Sequence, residues 1–124
     1  METSKIRSFT DLNAWRESYK LSLMVYRVTK SFPREEMFGL ISQIRRCAVS
    51  VASNIAEGFS RKTKKEKIQF FSVALGSVTE LQNQLLIATG VHLLPKKEFD
   101  GIVPQCIKVH KLVCGLIRKC KSSL

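Results

Sequence analysis

Gln43-Ile44-Arg45-Arg46-Cys47-Ala48-Val49-Ser50-Val51-Ala52-Ser53-Asn54-Ile55-Ala56-Glu57-Gly58 decides the fold. Leu40, Ile44, Cys47, Ala48, Val51 and Ile55 recur at threes and fours, the spacing of an amphipathic helix that buries one stripe. A second stripe, Gln43, Arg46, Ser50, Asn54 and Glu57, keeps the same spacing but is polar and compact, where a solvated face usually mixes Lys and Glu. Two ordered stripes predict a helix that packs on two sides, once into its core and once against a surface that needs hydrogen bonds and close approach. Gly58 is expected to end it, because glycine takes the left-handed cap conformation without steric cost.

The same periodicity extends outward in both directions. A first helix is expected over 11–31, capped by Thr10 or Asp11, with Leu12, Trp15, Tyr19, Leu23 and Tyr26 as its buried edge and residues 1–8 as a flexible start. The aromatics of that line could form a stacking platform for bases, but Leu12 and Leu23 continue it and favour core. Pro33 suits the first turn of the second helix, expected over 34–57, with Glu35 and Glu36 near its positive end. Thr63 and Glu66 form a capping box for a third helix over 63–89, whose core line is Ile68, Phe71, Leu75, Val78, Leu81 or Gln82, and Leu85. Beside it runs a small polar line, Ser72, Gly76, Thr79 and Asn83. Gly76 gives up roughly 1 kcal/mol of helix propensity, so close approach of another backbone is expected there. This line either faces the polar stripe of the second helix or forms a seam between subunits.

Gly90 is expected to close the third helix, and a fourth is expected over 95–120. Its heptad line is Phe99, Val103, Cys106, His110, Val113, Ile117 and Cys120, with Ile102, Val109 and Leu116 beside it. Pro104, with Gly101 nearby, either bends this helix or marks its regular start. Four helices with short connections predict an all-α, antiparallel up-down-up-down bundle forming a single domain over 9–121.

The 124 residues allow one core, and 44% hydrophobic residues can fill it. The opening residues do not resemble a signal peptide, and no apolar run is long enough to span a bilayer, so a cytoplasmic protein without a membrane partner is expected. Cys47, Cys106, Cys114 and Cys120 lack paired spacing and read as reduced thiols on apolar faces. Lys and Arg number 21 against 10 Asp and Glu, a net charge of +11. Arg61, Lys62, Lys64, Lys65 and Lys67 cluster against the single Glu66, and Lys108, Lys111, Arg118, Lys119 and Lys121 follow Gln105 with no acid among them. Such clusters attract polyanions, with counterion release supplying salt-dependent affinity.

Asn54-Ile55-Ala56-Glu57-Gly58, preceded by Gln43-Ile44-Arg45-Arg46 and followed by Arg61, resembles the signature of the four-helix-bundle proteins encoded in intervening sequences of bacterial large-subunit ribosomal RNA genes. The likeness extends to Phe9-x-x-Leu12-x-x-Trp15, Phe32-Pro33-x-x-Glu36-x-Phe38-x-Leu40 and Gly76-Ser77-x-x-Glu80-Leu81, and spans roughly residues 8 to 118. A relative of that family, the accessory protein of diversity-generating retroelements, is similar in fold, forms a pentameric ring and binds nucleic acid beside a reverse transcriptase. The resemblance therefore implies a bundle assembled into a homopentameric ring, with a reverse transcriptase as a candidate partner.

Chemistry is harder to place in this chain. Cys106, His110 and Cys114 lie along one side of the fourth helix, with Cys47 or Cys120 as further donors, but they also satisfy a core line and lack the close pairs of structural zinc sites. His92 and His110 have no arginine placed as in small helical ribonucleases, and no glycine-rich phosphate loop is present. Arg46 and Glu57 read as an ion pair that fixes packing. No catalytic residue, metal or cofactor is expected. The expected function is a non-catalytic accessory protein that binds RNA or DNA through Arg61, Lys62, Lys64, Lys65, Lys67, Lys108, Lys111, Arg118, Lys119 and Lys121. Gln43, Arg46, Ser50, Asn54, Glu57, Gly58, Ser72, Gly76, Thr79 and Asn83 are assigned to folding and assembly. The alternative is a protein-interaction scaffold with no direct nucleic-acid role.

Overall fold

Residues 5–122 are described by the computed structural model of the chain. Periodic apolar lines fold into four helices, α1 (Asn13–Thr29), α2 (Leu40–Ser60), α3 (Lys64–Gly90) and α4 (Lys96–Ser122). Each packs on its sequence neighbours, and α1 closes the circuit against α4, which is the up-down-up-down bundle. No strand occurs among the described residues. No described helix is long and apolar enough to cross a membrane.

The chain start is tied down earlier than its polarity suggests. Positions 1–4 of the expected flexible segment lie outside the described residues, but the Ser8 hydroxyl accepts from the Thr10 amide at 3.2 Å, and the Asp11 carboxylate accepts from the Arg7 and Ser8 amides at 2.9 and 3.0 Å. These bonds hold Asp11 below its usual carboxylate range and build a short 3₁₀ turn, Phe9–Asp11, ahead of α1.

The buried line of α1 is Ala14, Ser18, Leu21, Val25 and Thr29. Trp15 and Leu12 pack at the edge of the core, whereas Tyr19, Leu23 and Tyr26 stand 48%, 46% and 43% exposed, so the expected aromatic core line is turned outward. Ser18 and Thr29 are buried because their hydroxyls donate to the carbonyls of Ala14 and Val25, one turn back, at 2.6 and 2.8 Å. Polarity therefore disguised the face that packs.

α2 begins six residues later than expected. Pro33 instead leads a single 3₁₀ turn, Arg34–Glu36, and Gly39 precedes the first residue of α2. Its core stripe is Ile41, Ile44, Cys47, Ala48, Val51, Ile55 and Gly58, as the periodicity predicts apart from Ile41 replacing Leu40 and Gly58 joining the buried line. Gly58 does not cap the helix, which runs on to Ser60. A Cβ at Gly58 would lie 2.6 and 2.8 Å from Cε1 and Cδ1 of Phe71 on α3, so the glycine is needed for close helix packing.

α3 starts where the capping box places it, with Thr63 Oγ1 accepting from the Glu66 amide at 3.1 Å. Its buried residues are Phe71, Ala74, Ser77, Val78, Leu81, Gln84, Leu85 and Ala88. Gly90 is its last residue and not its left-handed cap. That conformation falls on His92, at φ 68°, while the amides of Leu93 and Leu94 both donate to the Ala88 carbonyl.

α4 is continuous from Lys96, so Pro104 lies inside it and does not mark its start. Pro104 and Asp100 are both exposed, and the proline deprives the Asp100 carbonyl of its intrahelical donor. The buried line is Ile102, Cys106, Val109 and Val113, with His110 half-buried beside it. Glu17 of α1 ties the two helices: Gln105 Nε2 donates to its carbonyl and carboxylate at 2.8 and 2.9 Å, and Lys108 lies 3.5 Å away.

Candidate nucleic-acid interface

Antiparallel topology returns the end of α4 to the α2–α3 turn, so the two basic clusters of the sequence meet at one end of the bundle. A cleft of about 300 Å³ records the junction: Phe59 of α2, Lys67 and Phe71 of α3 and Leu116, Lys119 and Cys120 of α4 share its walls with Ile6 and Leu12. Lys62 and Lys65 are exposed and Lys64 is half-exposed on the turn side, and Arg118, Lys119 and Lys121 are exposed on α4. This is a local concentration of cations with few acids, the arrangement that attracts phosphate backbones.

Two predicted members of the patch are already engaged. Lys67 Nζ donates to the carbonyls of Phe59 and Gly58 at 2.7 and 3.3 Å, satisfying acceptors at the C-terminal end of α2. Arg61 donates through Nη2 to Glu57 Oε2 at 2.7 Å and lies over the Phe70 ring at 4.8 Å. Both hold the turn in place. The expected Arg46–Glu57 pair is therefore replaced by Glu57–Arg61, one turn apart. Lys108 and Lys111 sit roughly 12 to 17 Å back along α4 from Lys119 by the helix rise. Lys108 is bound to Glu17 there.

The polar stripe of α2 faces α3, but not the line expected. Ser50 Oγ and Ser77 Oγ are 3.0 Å apart, and Asn54 Nδ2 donates to the Ser50 carbonyl and hydroxyl at 2.8 and 3.1 Å. Ser72, Gly76, Thr79 and Asn83 are all exposed, and nothing approaches within 4 Å of a Cβ at Gly76. They lie on the side of α3 opposite its core line, so the close approach expected at Gly76 is absent within the chain. Gln43, Arg46, Cys47, Ser50, Ser77, Glu80 and Gln84 instead line a cleft of about 350 Å³ between the two helices. In the sequence Ser77 and Glu80 stand out only within the motif Gly76-Ser77-x-x-Glu80-Leu81 and Gln84 does not stand out, although the three-and-four spacing of this line parallels that of Gln43, Arg46, Ser50.

The other flank of α2 faces outward with α1. Trp15 stacks on Tyr19 with ring centroids 5.3 Å apart, and Phe9, Ser22, Val49, Ala52, Ser53 and Ala56 complete that groove. Arg45 lies over the Tyr26 ring at 4.5 Å and donates to Thr29 Oγ1 at 2.9 Å. Met37 and Phe38 extend this apolar surface, Phe38 being 94% exposed.

The four cysteines are free thiols. Burial pushes Cys106 up to about 12, and burial with the nearby Glu80 carboxylate does the same for Cys47, so both stay protonated. Cys114 Sγ lies 3.7 Å from His110 Nδ1 on the half-buried side of α4.

Comparison with known proteins identifies a family and a similar fold. A family model described as 23S rRNA-intervening sequence protein matches residues 10–115. The fold is similar to a crystal structure of a protein of unknown function from the S23 ribosomal protein family of Bacteroides thetaiotaomicron, at TM-score 0.78 and 19% identity, covering 85% of this chain and 95% of that one. No curated protein matches the chain.

Proposed function

The chain belongs to the 23S rRNA-intervening sequence protein family, and from that premise we propose that it is a nucleic-acid-binding accessory protein that touches RNA or DNA with the basic end of its bundle. One observation carries this reading: the α2–α3 turn and the end of α4, separated by some fifty residues of sequence, share the walls of one cleft through Lys67 and Lys119. Scattered cations would speak for a scaffold. Lys62, Lys64, Lys65, Arg118, Lys119 and Lys121 make the phosphate contacts, and Arg61 and Lys67 hold the frame that presents them. Such contacts position a backbone and read little sequence.

Assembly into a closed ring, with five copies as the resemblance suggests, multiplies these patches. The outward aromatic face of α1 and α2 supports a protein contact, since exposed Tyr19, Leu23, Tyr26, Met37 and Phe38 form an apolar surface beside Trp15. The same resemblance extends the proposal to a reverse transcriptase as the enzyme served. The test is titration of the purified protein into labelled single-stranded RNA and DNA at several salt concentrations, with its mass measured by light scattering. Steeply salt-dependent binding by a closed oligomer is expected. A closed oligomer that binds neither nucleic acid at moderate salt would leave the scaffold reading.

A further inference from the structure

The cleft between α2 and α3 is lined by polar groups whose bonding is incomplete. Cys47, Ser77 and Gln84 are buried at its floor, and Gln43, Arg46 and Glu80 are exposed at its rim. Gln84 is only 6% exposed, yet its Oε1 accepts no hydrogen bond from any described residue. The amide orientation is fixed by chemistry: Nε2 donates to Glu80 Oε2 at 3.2 Å, and the flipped amide would set Oε1 against that carboxylate. An unmet buried acceptor costs the desolvation of its lone pairs, and this one, sealed from solvent, reaches a donor from outside the chain only when the side chains around it shift. Ser77 and Cys47 offer no such donor, because the Cys47 thiol donates to the Ser77 carbonyl at 3.2 Å and the Ser77 hydroxyl is bonded to Ser50.

Charge narrows the ligand. Arg46 and Glu80 line the same cleft, and neither forms an ion pair with a described residue. One cation and one anion together are left balanced by a ligand that is neutral or zwitterionic. A lone phosphate would leave Glu80 opposed, and a lone guanidinium would leave Arg46 opposed. On α3 the carboxylate of Glu80 and the amide oxygen of Gln84 form a row of acceptors. On α2 Arg46 and Gln43 supply donors.

We infer that this cleft binds a guanine base, which carries N1–H and N2–H₂ donors on one edge and O6 and N7 acceptors on the adjoining one. The donor edge meets the two oxygens of the exposed Glu80 carboxylate, with Gln84 Oε1 reached as the side chains around it shift, and the acceptor edge meets Arg46, the pairing arginine makes with guanine in nucleic-acid grooves. Adenine and uracil each set an unprotonated acceptor against the Glu80 carboxylate, and cytosine offers a single amino group. The volume of about 350 Å³ lies at the lower end of the small-molecule range. The base can come from a free nucleoside or from an unpaired residue of a strand. The site rests on its own donors and acceptors and is built from residues separate from the basic end, so it can fail without that reading failing.

The test is NMR and calorimetric titration of the full chain with guanosine, inosine, adenosine, cytidine, glycine and a guanine-containing single-stranded oligonucleotide. Guanosine should saturate and move the Gln84 side-chain amide signals. Inosine, which lacks the 2-amino group, should bind at least tenfold more weakly. Glu80→Gln, which replaces an acceptor by a donor without changing shape, should weaken guanosine at least tenfold while the spectrum stays folded, and Arg46→Gln should do so as well. Guanosine binding as well as the oligonucleotide assigns the site to free nucleosides, and a preference for the oligonucleotide that survives Lys62, Lys64 and Lys65→Gln assigns it to strands. Tighter binding of glycine than of guanosine, equal binding of inosine, or no movement of the Gln84 amide with any of these probes would overturn the assignment.

Discussion

The two ends of the bundle are made by the same four helices and are held in different ways. At the basic end only residues 61–63 separate α2 from α3, and every step is pinned: Gly58 under Phe71, Arg61 over Phe70, Thr63 on the Glu66 amide and Lys67 on the last carbonyls of α2. At the other end residues 30–39 join α1 to α2 through a single 3₁₀ turn, and Phe38 projects 94% exposed. A short pinned turn presents charge on a fixed frame, which suits a polyanion. A longer connection that exposes Met37 and Phe38 suits a protein surface. The difference can be broken or sharpened by substitution at each end.

Gly58→Val should have the largest effect, a loss of roughly 3 kcal/mol in denaturant unfolding, the upper part of the usual overpacking range, because the buried Phe71 ring occupies the space its side chain needs. Gly76→Ala is its counterpart on open surface and should add about 1 kcal/mol by helix propensity. A loss of oligomer on Gly76→Ala would instead locate the subunit seam on that face. Replacing Lys62, Lys64 and Lys65 by Gln should weaken strand binding tenfold or more, about 1.4 kcal/mol, and lower the salt slope by about 2. The same change at Lys30, Lys96 and Lys97, at the far end, should leave both unaltered. Equal effects at the two ends would remove the distinction between them. Thr63→Ala should cost about 1 kcal/mol in thermal unfolding by removing the cap of α3.

The smallest effect is a pH dependence at Glu17. The hydrogen bond from Gln105, with help from Lys20 and Lys108, holds its carboxyl below the usual glutamate range. Its native value is lower than its unfolded one, so its contribution is complete above the ordinary glutamate range and is lost as pH falls through the lowered value. Glu17→Gln should flatten that acid limb of the stability curve. An unchanged limb would remove Glu17 from the α1–α4 contact.

Much of this architecture is legible in the residues. The core stripe of α2, the cap at Thr63 and the four-helix count follow from threes and fours. α1 misleads because its buried line includes Ser18 and Thr29, whose hydroxyls are satisfied within their own helix, while Trp15, Tyr19 and Tyr26 make the more apolar line. Arg46 and Glu57 could not pair, since eleven residues of helix separate them by roughly 16 Å along the axis, whereas Glu57 and Arg61 are one turn apart. Gly58 looks like a stop signal in sequence, and only the position of Phe71 across the interface explains it. The Gln84 cleft was hidden because half of it comes from α3, and periodicity within one helix cannot say which flank meets a neighbour.

The most direct test of the central claim is amide chemical-shift mapping of the native oligomer as single-stranded RNA is added at low and moderate salt. Shifts concentrated on residues 61–67 and 118–121 that recede as salt rises are predicted. Shifts centred on the Met37–Phe38 connection, or spread evenly over both ends and insensitive to salt, would contradict it.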